Sequence, residues 1–390
     1  MTGGSVLRVR IEERLGKPKS RRVFDRPHVP ERKILSVNRL LSVVERVVVA
    51  EPRGFCAGVE MAIKALTWMV RIFEPPVYCY HQIVHNEWVV KAFERVGVVF
   101  VDDISQVPQG APVMLSAHGS APEVIAAAAD RAAVVIDAVC PLVTKVHHEV
   151  KLMAQKGFDI IYVGHRGHDE AIGTLAEAPN KMTLIQPEDG LAAFRPSDSS
   201  KVALVAQTTL STLEWGQVLA DAQQQYPDLV TSRKSDLCYA TTNRQEAIGA
   251  LAEQCEAILV VGSENSSNTQ ALVRVAAERG VRAYRIDSAG DIREEWLEGV
   301  AVVGLTAGAS APDHLVTEVI DRIGPRLGFE LLSVTTEAEY FPLPPQLRAF
   351  VATLQTLVEA GFTARANREG LVERDREWNA GQALSLITAP

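Results

Sequence analysis

The chain has 390 residues, 47% of them hydrophobic and 23% charged, with five cysteines and a formal net charge of −8. That length suits two or three packed units, and no apolar run reaches the roughly 18 residues a membrane span needs. The first residues hold no apolar signal core, and an odd cysteine count argues against a disulfide scaffold, so reduced thiols and a cytoplasmic location are expected. The acidic total argues against a dedicated nucleic-acid binder. Residues 1–46 are the exception, with twelve Lys/Arg against five acids, and they read as a basic, flexible extension.

From Val47 the chain alternates β-branched runs with helical, Ala-rich patterns. Val47–Ala50, Val77–Tyr80, Val113–Leu115, Val134–Ile136, Asp159–Val163, Val202–Val205, Ala257–Val261 and Val300–Leu305 are predicted as buried strands. The alternation implies α/β units with mostly parallel sheets. A threefold repeat runs through it. Cys56, Cys140 and Cys238 each open a helical segment. A predicted strand then ends in a polar cluster, at His85-Asn86, at His168-Asp169-Glu170 and at Ser266-Ser267-Asn268. The cysteine-to-cluster offsets are 29, 28 and 28 residues. Second strands end at His118, Thr208 and Ser310, with looser offsets of 62, 68 and 72.

The spacing predicts three α/β units over 47–139, 140–237 and 238–324, a return segment over 325–350 and a C-terminal extension over 351–390. Ligands of open α/β sheets sit beyond the carboxyl ends of the strands. Three such ends around a pseudo-threefold axis would bring three thiols to one centre. Three thiolates are one short of a closed zinc site, and they suit an iron–sulfur cluster with one open corner. Each cysteine lies near a helix start, where the partial positive charge favours thiolate. Cys79 and Cys255 fall outside the repeat and read as packing thiols. His85, His118, His168, Thr208, Ser266, Ser267, Asn268 and Ser310 form a set of neutral donors suited to a diphosphate or another multi-oxygen anion. Glu170 is the carboxylate in this set and a candidate proton donor. Neither a P-loop nor a dinucleotide fingerprint is present.

Several stretches resemble the 4-hydroxy-3-methylbut-2-enyl diphosphate reductase (LytB) family. They include Pro52-Arg53-Gly54-Phe55-Cys56-Ala57-Gly58-Val59, Ile83-Val84-His85-Asn86, Ser116-Ala117-His118-Gly119, Cys140-Pro141-Leu142-Val143-Thr144-Lys145-Val146-His147 and Gln207-Thr208-Thr209-Leu210-Ser211. Ala240-Thr241-Thr242-Asn243-Arg244-Gln245, Ser266-Ser267-Asn268 and Thr306-Ala307-Gly308-Ala309-Ser310 continue the match. The resemblance implies a trefoil of three α/β units around a [4Fe-4S] cluster on Cys56, Cys140 and Cys238. It implies a substrate diphosphate among His85, His118, His168, Ser266, Ser267, Asn268 and Ser310, with Glu170 and Thr208 relaying protons. The implied reaction is reductive dehydroxylation to isopentenyl and dimethylallyl diphosphate, with electrons from a ferredoxin or flavodoxin. Tyr80, Gln82, Asp169 and Ala176-Glu177 depart from the family pattern. A cluster-dependent dehydratase, an iron–sulfur sensor and a zinc protein are the competing readings.

Overall fold

The computed structural model describes residues 44–232, 235–357 and 373–388. The expected basic extension over 1–46 therefore lies almost wholly outside the described residues. The chain enters through β1 (Arg46–Glu51), followed by α1 (Ala57–Ile72). The first sheet is built from β2 (Val77–Tyr80), β3 (Val98–Val101), β4 (Pro112–Leu115) and β5 (Val134–Asp137), with α2 (Glu87–Glu94) and α3 (Pro122–Arg131) between them. After α4 (Pro141–Gln155) the second sheet takes β6 (Asp159–Val163), β7 (Met182–Ile185), β8 (Val202–Ala206) and β9 (Val230–Thr231), with α5 (Asp169–Leu175) and α6 (Thr212–Gln225). After α7 (Tyr239–Ala252) come β10 (Ala257–Val261), α8 (Ser267–Glu278), β11 (Arg282–Ile286), β12 (Val302–Ala307), α9 (Asp313–Ile323) and β13 (Phe329–Ser333). The described chain closes with α10 (Pro345–Leu357) and α11 (Ala380–Thr388).

Every strand pair is parallel. The strand orders are β3-β2-β4-β5, β7-β6-β8-β9 and β11-β10-β12-β1-β13. The first two are the same order, second-first-third-fourth. The third repeats it only if β1 is counted as its fourth strand. The first unit is expected over 47–139, but β1 pairs with β12 and β13, so it belongs to the third sheet. The ring of three units is thus closed by the first strand of the described chain, and each unit begins at its cysteine.

Burial explains which strands the sequence announces. β8 and β10 are buried at every residue, as parallel strands covered on both faces must be. The unpredicted strands β3, β7, β9, β11 and β13 are all edge strands, with one flank open to solvent. Except for β3, whose Val98-Val99-Phe100-Val101 is an apolar run outside the predicted strands, they are mostly partly buried or exposed and carry mixed polar and apolar residues.

The C-terminal residues pack on the first unit. Leu343, Leu347, Val351, Ala380, Ala383 and Leu384 share a core with Ile63, Leu66 and Met69 of α1. Residues 373–388, expected as an extension, are therefore docked onto α1. Among the described residues, no helix is long and apolar enough to cross a membrane.

Candidate active site

In each sheet the first and third strands are neighbours: β2 with β4, β6 with β8, β10 with β12. At such a switch point the loops leave to opposite sides and open a crevice at the strand ends. The loops after these six strands carry all the predicted polar clusters. The three crevices face one another around a single cavity of about 770 Å3, counted out to its opening. All twelve predicted site residues line it.

Cys56, Cys140 and Cys238 are the residues immediately before α1, α4 and α7. Pro141 fixes the first turn of α4, where a missing N–H costs nothing. The Cys238 sulfur accepts a hydrogen bond from the Thr241 amide at 3.3 Å. Gly58 leaves room for the sulfurs, since a Cβ there would lie 2.7 Å from Cys140 Sγ and 4.0 Å from Cys56 Sγ. Burial pushes the Cys140 thiol up, and it pushes Cys238 up to about 11, with the neighbouring Cys56 sulfur adding to both. Helix starts alone do not ionise these thiols. Cys79 and Cys255 sit in the hydrophobic cores, away from the cavity.

Glu170 and Thr208 meet across the second crevice. The Thr208 amide donates to Glu170 Oε1 at 2.7 Å, and its hydroxyl donates to Oε2 at 2.9 Å. Burial pushes the Glu170 carboxyl up to about 7, against the lowering effect of both Thr208 bonds. At neutral pH it is therefore poised to hold or give a proton.

The histidines form one wall of the cavity. The rings of His85 and His118 stack at 3.9 Å with 13° between planes, and His168 meets His85 edge-on at 5.0 Å. Burial holds all three imidazoles below their usual range, His168 at about 3, so they are neutral. His168 Nδ1 accepts the Glu170 amide at 3.2 Å, which leaves its proton on Nε2. His85 Nε2 and His118 Nδ1 are buried without a hydrogen-bond partner among the described residues. The third unit supplies the opposite wall. Asn268 Oδ1 accepts the Ala309 amide at 2.9 Å, while its Nδ2 is buried and partnerless among the described residues. Ser266 caps α8 through the Thr269 amide at 3.3 Å. Ser267 Oγ lies 2.9 Å from Thr209 Oγ1. Ser310 Oγ donates to the His85 carbonyl at 2.8 Å. The first turn of α8 adds free amides and a positive helix end. No Lys or Arg among the described residues lines the cavity, so an anion would be held here by neutral donors.

Tyr239, Phe341 and His81 are not among the predicted site residues, and Asp169 is marked in the sequence only as part of a polar cluster and as a departure from the family pattern. Tyr239 and Phe341 add aromatic walls. Asp169 pairs with His81 at 2.8 Å and stands 3.7 Å from His85 Nε2 and from His118 Nδ1. Burial opposes ionisation of Asp169, but the His81 hydrogen bond and charge outweigh it. His81 has φ of +57°, rare outside glycine, a local strain beside the site. That φ leaves no mark in the sequence. The atoms of His85, His118 and Asp169 lie within 4.8 Å of one another. A single metal ion could not lie in both planes of two stacked rings, so paired N–H donation to an anion fits them better.

Three thiols at helix starts, a buried carboxyl and a wall of neutral hydrogen-bond donors share one cavity of a three-unit α/β protein. The chain belongs to the LytB protein family, whose sequence profile matches residues 47–324. It is 48% identical over 312 residues to the 4-hydroxy-3-methylbut-2-enyl diphosphate reductase of Mycobacterium leprae, covering 78% of this chain and 93% of that protein. It is 44% identical to the enzyme of the same name from Rhodopirellula baltica, covering 79% of this chain and 97% of the other. The solved structure of the Plasmodium falciparum E-1-hydroxy-2-methyl-but-2-enyl-4-diphosphate reductase superposes with a TM-score of 0.77 at 31% identity. It covers 80% of this chain and 99% of that one.

Proposed function

We propose that this chain reduces 4-hydroxy-3-methylbut-2-enyl diphosphate to isopentenyl and dimethylallyl diphosphate, with a [4Fe-4S] cluster held by Cys56, Cys140 and Cys238. The observation that carries this reading is the Glu170–Thr208 pair on the same cavity as three thiols and a neutral anion pocket. The thiol set fits such a cluster. Three sulfurs leave one corner open, Gly58 makes room beside two of them, and a soft cation is what buried thiols need in order to ionise. When bound, the cluster supplies electrons and one Lewis-acidic iron.

The chain's own residues do the rest. The uncommitted N–H groups of His85, His118, His168 and Asn268 donate to the diphosphate oxygens, and the first turn of α8 adds its amides. This fixes the allylic end toward the thiols. Glu170 then passes a proton through the Thr208 hydroxyl to the departing oxygen, which leaves as water. A second proton completes the hydrocarbon, so two electrons and two protons balance one hydroxyl lost. The aromatic and aliphatic walls at Phe341, Tyr239, Val84 and Val143 keep bulk water from competing. A ferredoxin or flavodoxin in the cytoplasm is the proposed electron source. The deciding experiment is an anaerobic assay of purified protein with hydroxymethylbutenyl diphosphate and a strong reductant. Product formation that depends on all three cysteines is expected. A chain that carries its cluster yet turns nothing over would leave a sensor as the better reading.

A further inference from the structure

We infer that residues 373–388 form a clamp that holds one wall of the thiol cavity shut, with Asp375, Lys64 and Tyr340 as positioning residues for Phe341. Its consequence, though not its geometry, rests on the iron–sulfur reading above.

The wall is thin. Phe341 and Tyr239 line the thiol cavity and also border a second, partly open cavity of about 530 Å3, shared with Glu60, Lys64 and Tyr340. Two aromatic side chains therefore separate the thiols from this outer space. Tyr239 is tied in place, since its hydroxyl accepts the Ala57 amide at 3.3 Å. Phe341 is half-buried and lies in a segment, 334–344, that belongs to no helix or strand. Side chains must fix it instead.

Two anchors do so. Upstream, Glu337 takes Arg244 at 2.8 Å, and Arg244 also donates to the Gly54 carbonyl at 2.6 Å. Next to Phe341, the Tyr340 hydroxyl donates to Asp375 Oδ2 at 2.5 Å. Asp375 Oδ1 lies 2.8 Å from Lys64 Nζ, and both side chains are 3% exposed. Lys64 also donates to the Asp375 carbonyl at 2.6 Å. A buried ammonium demands such a partner, so Lys64, eight residues after Cys56, recruits the C-terminal segment. The rest of the segment grips α1. Trp378 meets Trp68 edge-on at 6.3 Å, and the Ala380 amide donates to Glu60 at 3.1 Å. The family match ends at residue 324, so Tyr340, Phe341 and the whole of 373–388 lie beyond it.

The test uses the full chain, purified anaerobically with its cluster, as wild type, Asp375→Asn, Tyr340→Phe, Phe341→Ala and Val218→Ala. Val218 is buried in the second unit, far from the clamp in sequence and in core, and serves as a destabilised control. Cluster bleaching is followed in air below every melting temperature. Asp375→Asn and Phe341→Ala are expected to bleach on the order of tenfold faster than wild type, because the local opening becomes easier. Tyr340→Phe, which keeps the ring and the ion pair, is expected to fall between, and Val218→Ala to match wild type. Bleaching of Tyr340→Phe and Phe341→Ala at the wild-type rate overturns the clamp. So does a control that bleaches as fast as they do. Wild type without iron would instead refute the cluster reading. The clamp is then read from alkylation of Cys56 and Cys238, which the same substitutions must accelerate if it is real.

Discussion

Glu170→Gln isolates one proton. Glutamine keeps the size of the side chain and can still accept the Thr208 amide, now 2.7 Å from Oε1. Its amide nitrogen donates to the Thr208 hydroxyl, reversing the 2.9 Å bond to Oε2. The cavity should survive, and so should iron content. Turnover should fall by about 10²–10⁴-fold, the usual contribution of a positioned acid or base. A second magnitude follows from burial, which lifts this carboxyl from 4.5 to about 7. The folded chain then holds a proton that the unfolded chain releases. Stability from this group is full below about 4.5 and is lost as pH rises through about 7. A gap of that size corresponds to about 3 kcal/mol. The glutamine side chain does not titrate and has no such slope, so the variant should gain about 3 kcal/mol on wild type between about pH 4.5 and pH 8. Asp236, also lifted to about 7 by burial, titrates in both proteins, and its charge adds to the lift on Glu170, so the paired difference includes that coupling. Paired urea midpoints at the two pH values read the gain, and anaerobic single turnovers read the chemistry. Turnover within a few-fold of wild type would remove Glu170 from proton delivery. A parallel pH profile for the two proteins would show that its proton is not held by burial.

Asn268→Asp keeps the acceptor for the Ala309 amide but turns the partnerless donor into an anionic oxygen. KM should rise by about 10²-fold with iron unchanged, since like charges in a closed pocket cost several kcal/mol; steady-state kinetics check it. Gly58→Ala puts a Cβ 2.7 Å from Cys140 Sγ, so iron per chain, measured by metal analysis, should drop while the purified chain stays folded by circular dichroism. Wild type itself should carry about four irons per chain, and stoichiometric zinc without iron would refute the cluster. Deleting residues 1–43 should leave specific activity unchanged, because the LytB family match begins only at residue 47.

The clearest strands in the sequence are those buried on both faces, though the partly buried β2 and the edge strand β5 are legible too. β6, β8 and β10 are continuous apolar runs, and the site loops hang from their ends. The cysteine spacing works because each unit repeats one strand order, so equal numbers of residues reach equivalent positions. Edge strands such as β11, with arginines at both ends of Arg282-Ala283-Tyr284-Arg285, carry too mixed a pattern to be seen. The place of β1 is invisible for a different reason. Its sequence is that of any buried strand, and only long-range pairing with β12, near the other end of the matched core, assigns its sheet. Phe341 and Asp375 are hidden likewise: neither sits in a repeat, and both act through contacts distant in sequence.

Electrostatics is where local reading and tertiary structure part. A helix start favours thiolate by about 0.3–1 kcal/mol at exposed positions. Taking an anion out of water costs several kcal/mol. At Cys140 and Cys238 the second effect wins, and both thiols are pushed up despite their helix-start positions. Cys238 also has the Thr241 amide, and that hydrogen bond does not reverse the outcome. The helix starts at Cys140 and Cys238 are thus not a device for making reactive thiolates. They make sense as a preformed seat whose partial charges lower the cost of the sulfur anions once a soft cation has displaced their protons. The same balance governs the histidines opposite. Burial keeps them neutral, so they offer N–H groups without adding fixed positive charge beside the sulfur centre. A cavity lined this way can accept an anionic substrate next to an electron-rich centre without a lysine or arginine among the described residues of its wall.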